Sequence, residues 1–203
     1  IKEYGLDPLR YYLIKEVSFG NDGNISQEKL EDCINSDLAN NYGNLCQRVT
    51  AFTIKNCESK IPEKIEFQKD DLDILNKYNN NLDKIRSKID KQDINFYIDY
   101  IINSLFEANK YFNDQEPWKK KDDIVRLNTI VYTTLEIVRK ISFLLFPIIP
   151  HSSLKALKIF NLNEKDIDFT SIGNNDFLTK GSPINKIEIL FNKIEKDNDW
   201  FTL

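Results

Sequence analysis

The stretch LEDCINSDLANNYGNLCQRVTAF, residues 30–52, carries apolar side chains at Leu30, Ile34, Leu38, Tyr42, Leu45, Val49 and Phe52. Steps of three and four place all seven on one side of a helix, so the run predicts a long amphipathic α-helix with one buried stripe. Ser26, just upstream, is suited to cap it. Two features do not belong to a plain core helix. Gly43 sits mid-helix, where glycine costs about 1 kcal/mol relative to alanine. With Leu45 at the centre of the buried face, Arg48 falls about 60° to one side and Asn44 about 100° to the same side. An amide and a guanidinium therefore share the border of the stripe. Another helix packing on Gly43, with both residues as ordinary boundary polar groups, would account for this. So would a planar polar ligand, because a carboxamide and an arginine fork are both directional and suit a base edge.

Upstream of this helix, Asp7 followed by Pro8 reads as an N-cap and first helical position, opening a short helix to about Glu16. FGNDGNIS, residues 19–26, is turn chemistry with Asp22-Gly23 at its centre. Downstream, residues 57–67 with Pro62 read as a connection. Leu75, Tyr78, Leu82, Ile85 and Ile89 mark a second long helix, and Ile94, Ile98, Ile101, Leu105, Ala108 and Phe112 a third. After NDQEP, a fourth runs through Ile124, Leu127, Val131, Leu135, Val138, Ile141 and Leu145, bounded by Pro147 and Pro150. A short helix follows from about Ser152. Beyond Leu162 the pattern weakens, and KIEILF, residues 186–191, is the one strand-like run. Long helices joined by short links predict an all-α, antiparallel helical bundle with an irregular C-terminal tail.

Composition narrows the function. The chain has 203 residues and a net charge of −4, which argues against a protein holding nucleic acid mainly by neutralising phosphates, though not against recognition of bases by a few residues. Mean hydropathy is −0.47, and the most apolar run, ISFLLFPIIP, is too short and proline-broken to span a bilayer. Cys33, Cys46 and Cys57 form neither a zinc-ligand pattern nor an even disulfide set, and suit a reducing, cytoplasmic setting. The chain starts at Ile1 and contains no methionine, so it reads as a piece of a longer protein. The single histidine, His151, suits a helix start or a surface, and no catalytic order of Ser, His, Asp or Cys surrounds it. No catalytic or metal-binding residue is expected. Trp118 follows Pro117 on the link between the third and fourth long helices. It can cap the end of the core, or serve as a stacking platform for an unpaired base with Lys119, Lys120 and Lys121 near phosphates.

Taken together these stretches resemble the C-terminal half of the methionyl-tRNA synthetases. YGLDPLRYYLIKEVSFGNDGNIS resembles the stem-contact region that follows the family's second catalytic signature, and INSDLANNYGNLCQR the first long helix of its anticodon-binding bundle. EPWKKKDD resembles the link bearing the anticodon-stacking tryptophan, LLFPIIP the end of a later helix, and KIEILFNKIE the closing tail. Asn192 stands where the family usually has proline. The resemblance implies that residues 1–25 end the stem-contact region, 26–160 form the class I anticodon-binding bundle, and 161–203 the tail. It implies that Asn44 and Arg48 read the first anticodon base, a cytosine, that Trp118 stacks on it, that Pro117 fixes the link, and that Gly43 gives room for close approach. The implied parent is an ATP-dependent methionine–tRNA ligase acting on tRNA(Met). Its His-Ile-Gly-His and Lys-Met-Ser-Lys-Ser signatures are absent here, so ATP, methionine and the family's zinc knuckle are expected in an upstream catalytic domain of the same chain. A sister class I enzyme for isoleucine, leucine, valine or cysteine, or a helical interaction module without RNA, are the alternatives.

Overall fold

Helix α6 is the axis of the molecule. The computed structural model describes residues 1–17, 23 and 25–195, and its long elements are α1 (Leu6–Glu16), α2 (Gln27–Cys33), a π-helical segment (Ile34–Gly43), α3 (Asn44–Asn56), α4 (Lys69–Asp90), α5 (Ile94–Gln115), α6 (Ile124–Leu145) and α7 (Pro150–Leu157). Every residue of α6 from 129 to 145 is buried, because α3, α4, α5 and α7 all pack on it. The helices start where their sequences provide caps: Ser26 accepts from Lys29 N–H, Asp93 from Phe96 N–H and Asp123 from Arg126 N–H, satisfying donors that have no partner inside the helix. Short links at residues 91–93 and 116–123 turn α4 back into α5 and α5 into α6.

Residues 27–56 run as one continuous helical segment, with helical dihedrals at Ile34 and at Asn44. Leu30, Ile34, Leu38, Tyr42, Leu45 and Val49 are all buried, as their spacing predicts. The π-helical middle has a physical cause in the same spacing. Three successive steps of four, Leu30 to Tyr42, overshoot an α-helical turn by about 40° each. A turn with i→i+5 bonding holds more residues, so a step of four falls short of the full circle and returns the side chains to the core. The Tyr42 hydroxyl pairs with Ser142 Oγ at 2.8 Å, tying this segment to α6.

Three expectations need correction. Asp7 does not cap α1, which starts at Leu6 with Gly5 at φ 85° before it. The Asp7 carboxylate instead caps α7, accepting from Ser152 N–H at 2.7 Å, where negative charge also offsets the helix dipole. The fourth long helix does begin at Ile124, but that residue is 54% exposed, so its buried face starts at Arg126 and Leu127. KIEILF forms no strand: among the described residues the one bridge pairs Lys60 with Pro183. Instead its last two residues, Leu190 and Phe191, bury their side chains in the core, and Ile194 beyond them meets Asn35, whose amide both donates to and accepts from the Ile194 backbone. Of the FGNDGNIS turn, Phe19 to Asp22 and Asn24 lie outside the described residues.

Candidate nucleic-acid interface

The π-helical segment ends at Gly43, and Asn44 opens α3. A Cβ on Gly43 would lie 3.1 Å from the Leu38 carbonyl oxygen and 3.7 Å from Phe191 Cδ2. The tight contact is with the Leu38 carbonyl, so the glycine serves the wide turn; it is buried with Phe191 in ordinary contact beside it, rather than giving a ligand room. Asn44 itself is half-buried, with no hydrogen bond to its side-chain amide among the described residues. One turn on, Arg48 is also half-buried, and its Nη2 donates to Asn113 Oδ1 at 2.6 Å. Its guanidinium carbon lies 5.4 Å from the Phe112 ring centroid, within range of a cation–π attraction. An arginine has five N–H donors, so one bond leaves most of the fork available.

Phe112 is the joint of the site. Its ring meets Phe52 of α3 at 6.0 Å and Trp118 of the link at 5.9 Å, both edge-to-face. The structure therefore brings Arg48 and Trp118 onto one aromatic side chain, with Asn44 a turn away on the same helix border. Trp118 is 39% exposed, too open for a residue that only closes the core. Pro117 is buried and opens a single 3-10 turn, Pro117–Lys119. Glu116 before it has φ 44°, a left-handed conformation rare for a residue with a side chain. Lys119 pairs with Glu116 at 2.7 Å, so that member of the lysine run closes on the link, in an exposed pair that adds little stability.

Asn44, Arg48, Pro117 and Trp118 lie on the elements expected from the sequence, and Phe112 is core as expected, at 2% exposure. What the sequence did not show is that its ring also joins Arg48 to Trp118, or that Asn113, counted as part of an interruption, meets Arg48. The readable signal was their place, adjacent to each other in the last turn of α5, next to the link that carries Trp118. Asn109, one turn earlier, reaches across to Asn41 Oδ1 at 2.6 Å, so amide contacts between the two helices flank Asn44 along the chain. His151 is exposed and its Nδ1 lies 3.4 Å from Asp7 Oδ1, a surface position. No three His, Cys, Asp or Glu side chains converge as metal ligands among the described residues. No helix there is long and apolar enough to cross a membrane.

Comparison with known proteins places this geometry in context. Residues 1–50 match the family model described as tRNA synthetases class I (M), and residues 61–201 match the one described as the anticodon binding domain of methionyl tRNA ligase. The chain is 41% identical to the methionine–tRNA ligase of Brucella suis over 160 residues, covering 78% of this chain and 31% of that protein. It is 37% identical to the methionine–tRNA ligase of Rickettsia felis over 201 residues, 97% of this chain and 39% of that one. The apo, free-state methionyl-tRNA synthetase of Mycobacterium tuberculosis superposes with a TM-score of 0.90 at 32% identity, over 96% of this chain and 40% of its own. The chain thus spans well under half the length of these relatives.

Proposed function

The chain belongs to the methionyl-tRNA ligase family, whose anticodon-binding domain it matches over most of its length, and we propose that it reads the anticodon of tRNA(Met) for a whole methionine–tRNA ligase. That assignment favours the methionine enzyme over a sister class I synthetase or an RNA-free interaction module. In this reading residues 1–25 end the stem-contact region, 26–160 form the reading bundle and 161–203 the closing tail. Asn44 and Arg48 address the edge of the first anticodon base, Trp118 stacks on its face, and Pro117 fixes the approach. Methionine, ATP and the family's zinc knuckle belong to the upstream catalytic domain of the same cytoplasmic enzyme. None is assigned to a residue here.

The observation that carries this reading is the convergence of an arginine with free donors and a part-exposed indole on Phe112. An extruded base needs both at once: a face to stack on and directional donors at its edge. Arg48 supplies two parallel N–H groups for the acceptor atoms of cytosine, and Asn44 supplies a donor and an acceptor within one side chain. Titration of the chain with a tRNA(Met) anticodon stem-loop tests the proposal. Binding should be saturable and should weaken on Arg48→Ala and on Trp118→Ala. A chain whose affinity ignores both substitutions would not be using this surface.

A further inference from the structure

Arg126 holds both ends of the segment that carries Trp118. Its backbone N–H donates to Asp123 Oδ1 at 3.0 Å, the residue before α6 begins. Its Nη2 donates to Gln115 Oε1 at 2.6 Å, the residue at which α5 ends. The guanidinium is itself fixed by Asp71 in a bidentate pair, Nη1 to Oδ2 at 2.5 Å and Nη2 to Oδ1 at 2.9 Å. Asp71 is fully buried and Arg126 is 8% exposed. The same carboxylate accepts from the Tyr111 hydroxyl, and from Gln68 N–H at 2.8 Å. Helices α4, α5 and α6 therefore meet at one carboxylate, and residues 116–122 loop out between the two groups that Arg126 grips.

A buried ion pair is a poor device for stability, since apolar side chains of the same volume often serve as well. What it adds is direction: a planar fork sets where Gln115 stands, while the backbone N–H of the same residue holds Asp123. The enclosed segment also shows strain, with Glu116 at φ 44°. A side-chain-bearing residue stays in that region when its surroundings over-determine it.

We propose that Arg126, oriented by Asp71 and Tyr111, is a positioning residue for Trp118, holding the 116–122 segment in the conformation that presents the indole beside Arg48. The inference rests on the anticodon reading above, and adds to it a residue that touches no RNA. Gln115→Ala frees the link from Arg126 while sparing the Asp71 pair, at the further loss of an exposed bond to Asp70. Arg126→Lys keeps the charge and removes the fork. Both are made in the chain carrying Trp200→Phe, which leaves Trp118 as the one indole of the two in the sequence.

Three measurements are made on each variant: urea unfolding, acrylamide quenching of Trp118 fluorescence without RNA, and titration with the anticodon stem-loop. Gln115→Ala should unfold at the parent's midpoint, yet quench more readily and bind roughly fivefold more weakly, as expected when the binding-competent fraction falls to about a fifth. Arg126→Lys should move quenching and affinity in the same direction and further. Unchanged quenching in both variants overturns the proposal, as does a loss of stability with parental affinity per folded molecule. A parent chain that does not bind the stem-loop overturns the anticodon reading instead, and Trp118 quenching then decides by itself whether Arg126 orders the segment.

Discussion

Helices α3 and α6 each carry an arginine along a row of apolar residues, and they use it in opposite ways. Arg139 of α6 is fully buried. Its Nε meets Glu136 at 2.8 Å, its Nη2 the Asn174 carbonyl at 2.9 Å, and its guanidinium carbon sits 4.3 Å from the Phe177 ring centroid. Glu136 in turn accepts from the backbone N–H groups of Phe177 and Leu178, each at 2.7 Å. Lys140 donates to the Ile172 carbonyl, and to Asn175 Oδ1 at 2.8 Å. These charges replace a regular element: they provide the hydrogen bonds that an irregular segment cannot make with itself. Arg48 of α3 has a single hydrogen bond, to Asn113, among the described residues. Charge on a helix marks a binding surface where directional capacity is left over, and structure where it is used up inside.

The contrast breaks most visibly at Arg139. Arg139→Ala leaves Glu136 buried without its counter-ion, which should cost about 3–5 kcal/mol of folding stability. The fraction that remains folded should bind the stem-loop as the parent does, measured by urea unfolding and by titration at low temperature. Trp118→Ala should show the reverse pattern. RNA binding should weaken by about 1–3 kcal/mol, the contribution of one stacked base. Stability should fall by less than the cost of truncating a fully buried aromatic, about 3–5 kcal/mol, because Trp118 is 39% exposed. A large stability loss with unchanged RNA affinity would return Trp118 to the core.

A graded effect, spread over several pH units, should come from Lys140. Burial, together with the neighbouring Arg139 guanidinium, brings its ammonium down to about 7 from 10.5, against the opposing pull of Glu136. The other groups facing it are the Ile172 carbonyl, the Asn175 amide and the ring of Tyr78, 5.8 Å away. Between those two values the unfolded chain keeps a proton that the folded chain has released. Stability therefore rises with pH from about 7 to 10.5, by at most about 1.4 kcal/mol per pH unit. Burial raises the cysteines and tyrosines in the folded chain, so they ionise at the upper end of this window only in the unfolded chain, and the slope is read as the difference between the parent and Lys140→Met. Identical profiles would mean that Lys140 stays charged inside the fold.

The fold was legible in the sequence wherever a periodic signal reached burial. The stripe from Leu30 to Phe52 set the first long helix, and its run of fours even carried the cause of the π-helical turn. What failed was non-local. Gly43 is tight against the Leu38 carbonyl but is also covered by Phe191, which arrives from the far end of the chain, so no local pattern could show that it is buried. Asp7 has an N-cap's sequence context yet caps α7, across the whole length of the chain. KIEILF has a strand's composition but no strand alongside to pair with. Glu136, Arg139 and Lys140 lie off the apolar stripe that marks this helix, and nothing local shows them buried, because a charge network that buries itself leaves the same pattern as one facing water. The site fared better. Asn44 and Arg48 were visible as directional groups at a stripe border, and Trp118 as an indole on a link. Phe112 is core as its spacing predicts, and no local pattern showed that its ring also joins Arg48 to Trp118.

The central claim is that Arg48 reads a base edge, and Arg48→Lys tests it most directly. Parent and variant are titrated with two stem-loops that differ only in the first anticodon base, cytosine in one and another base in the other. Lysine keeps the positive charge and loses the planar fork. Discrimination between the two RNAs should therefore shrink by about 1–3 kcal/mol, the worth of a bidentate base contact, while affinity for the altered stem-loop changes little. Equal weakening towards both RNAs, with discrimination intact, would contradict the account and assign Arg48 to holding the phosphate backbone.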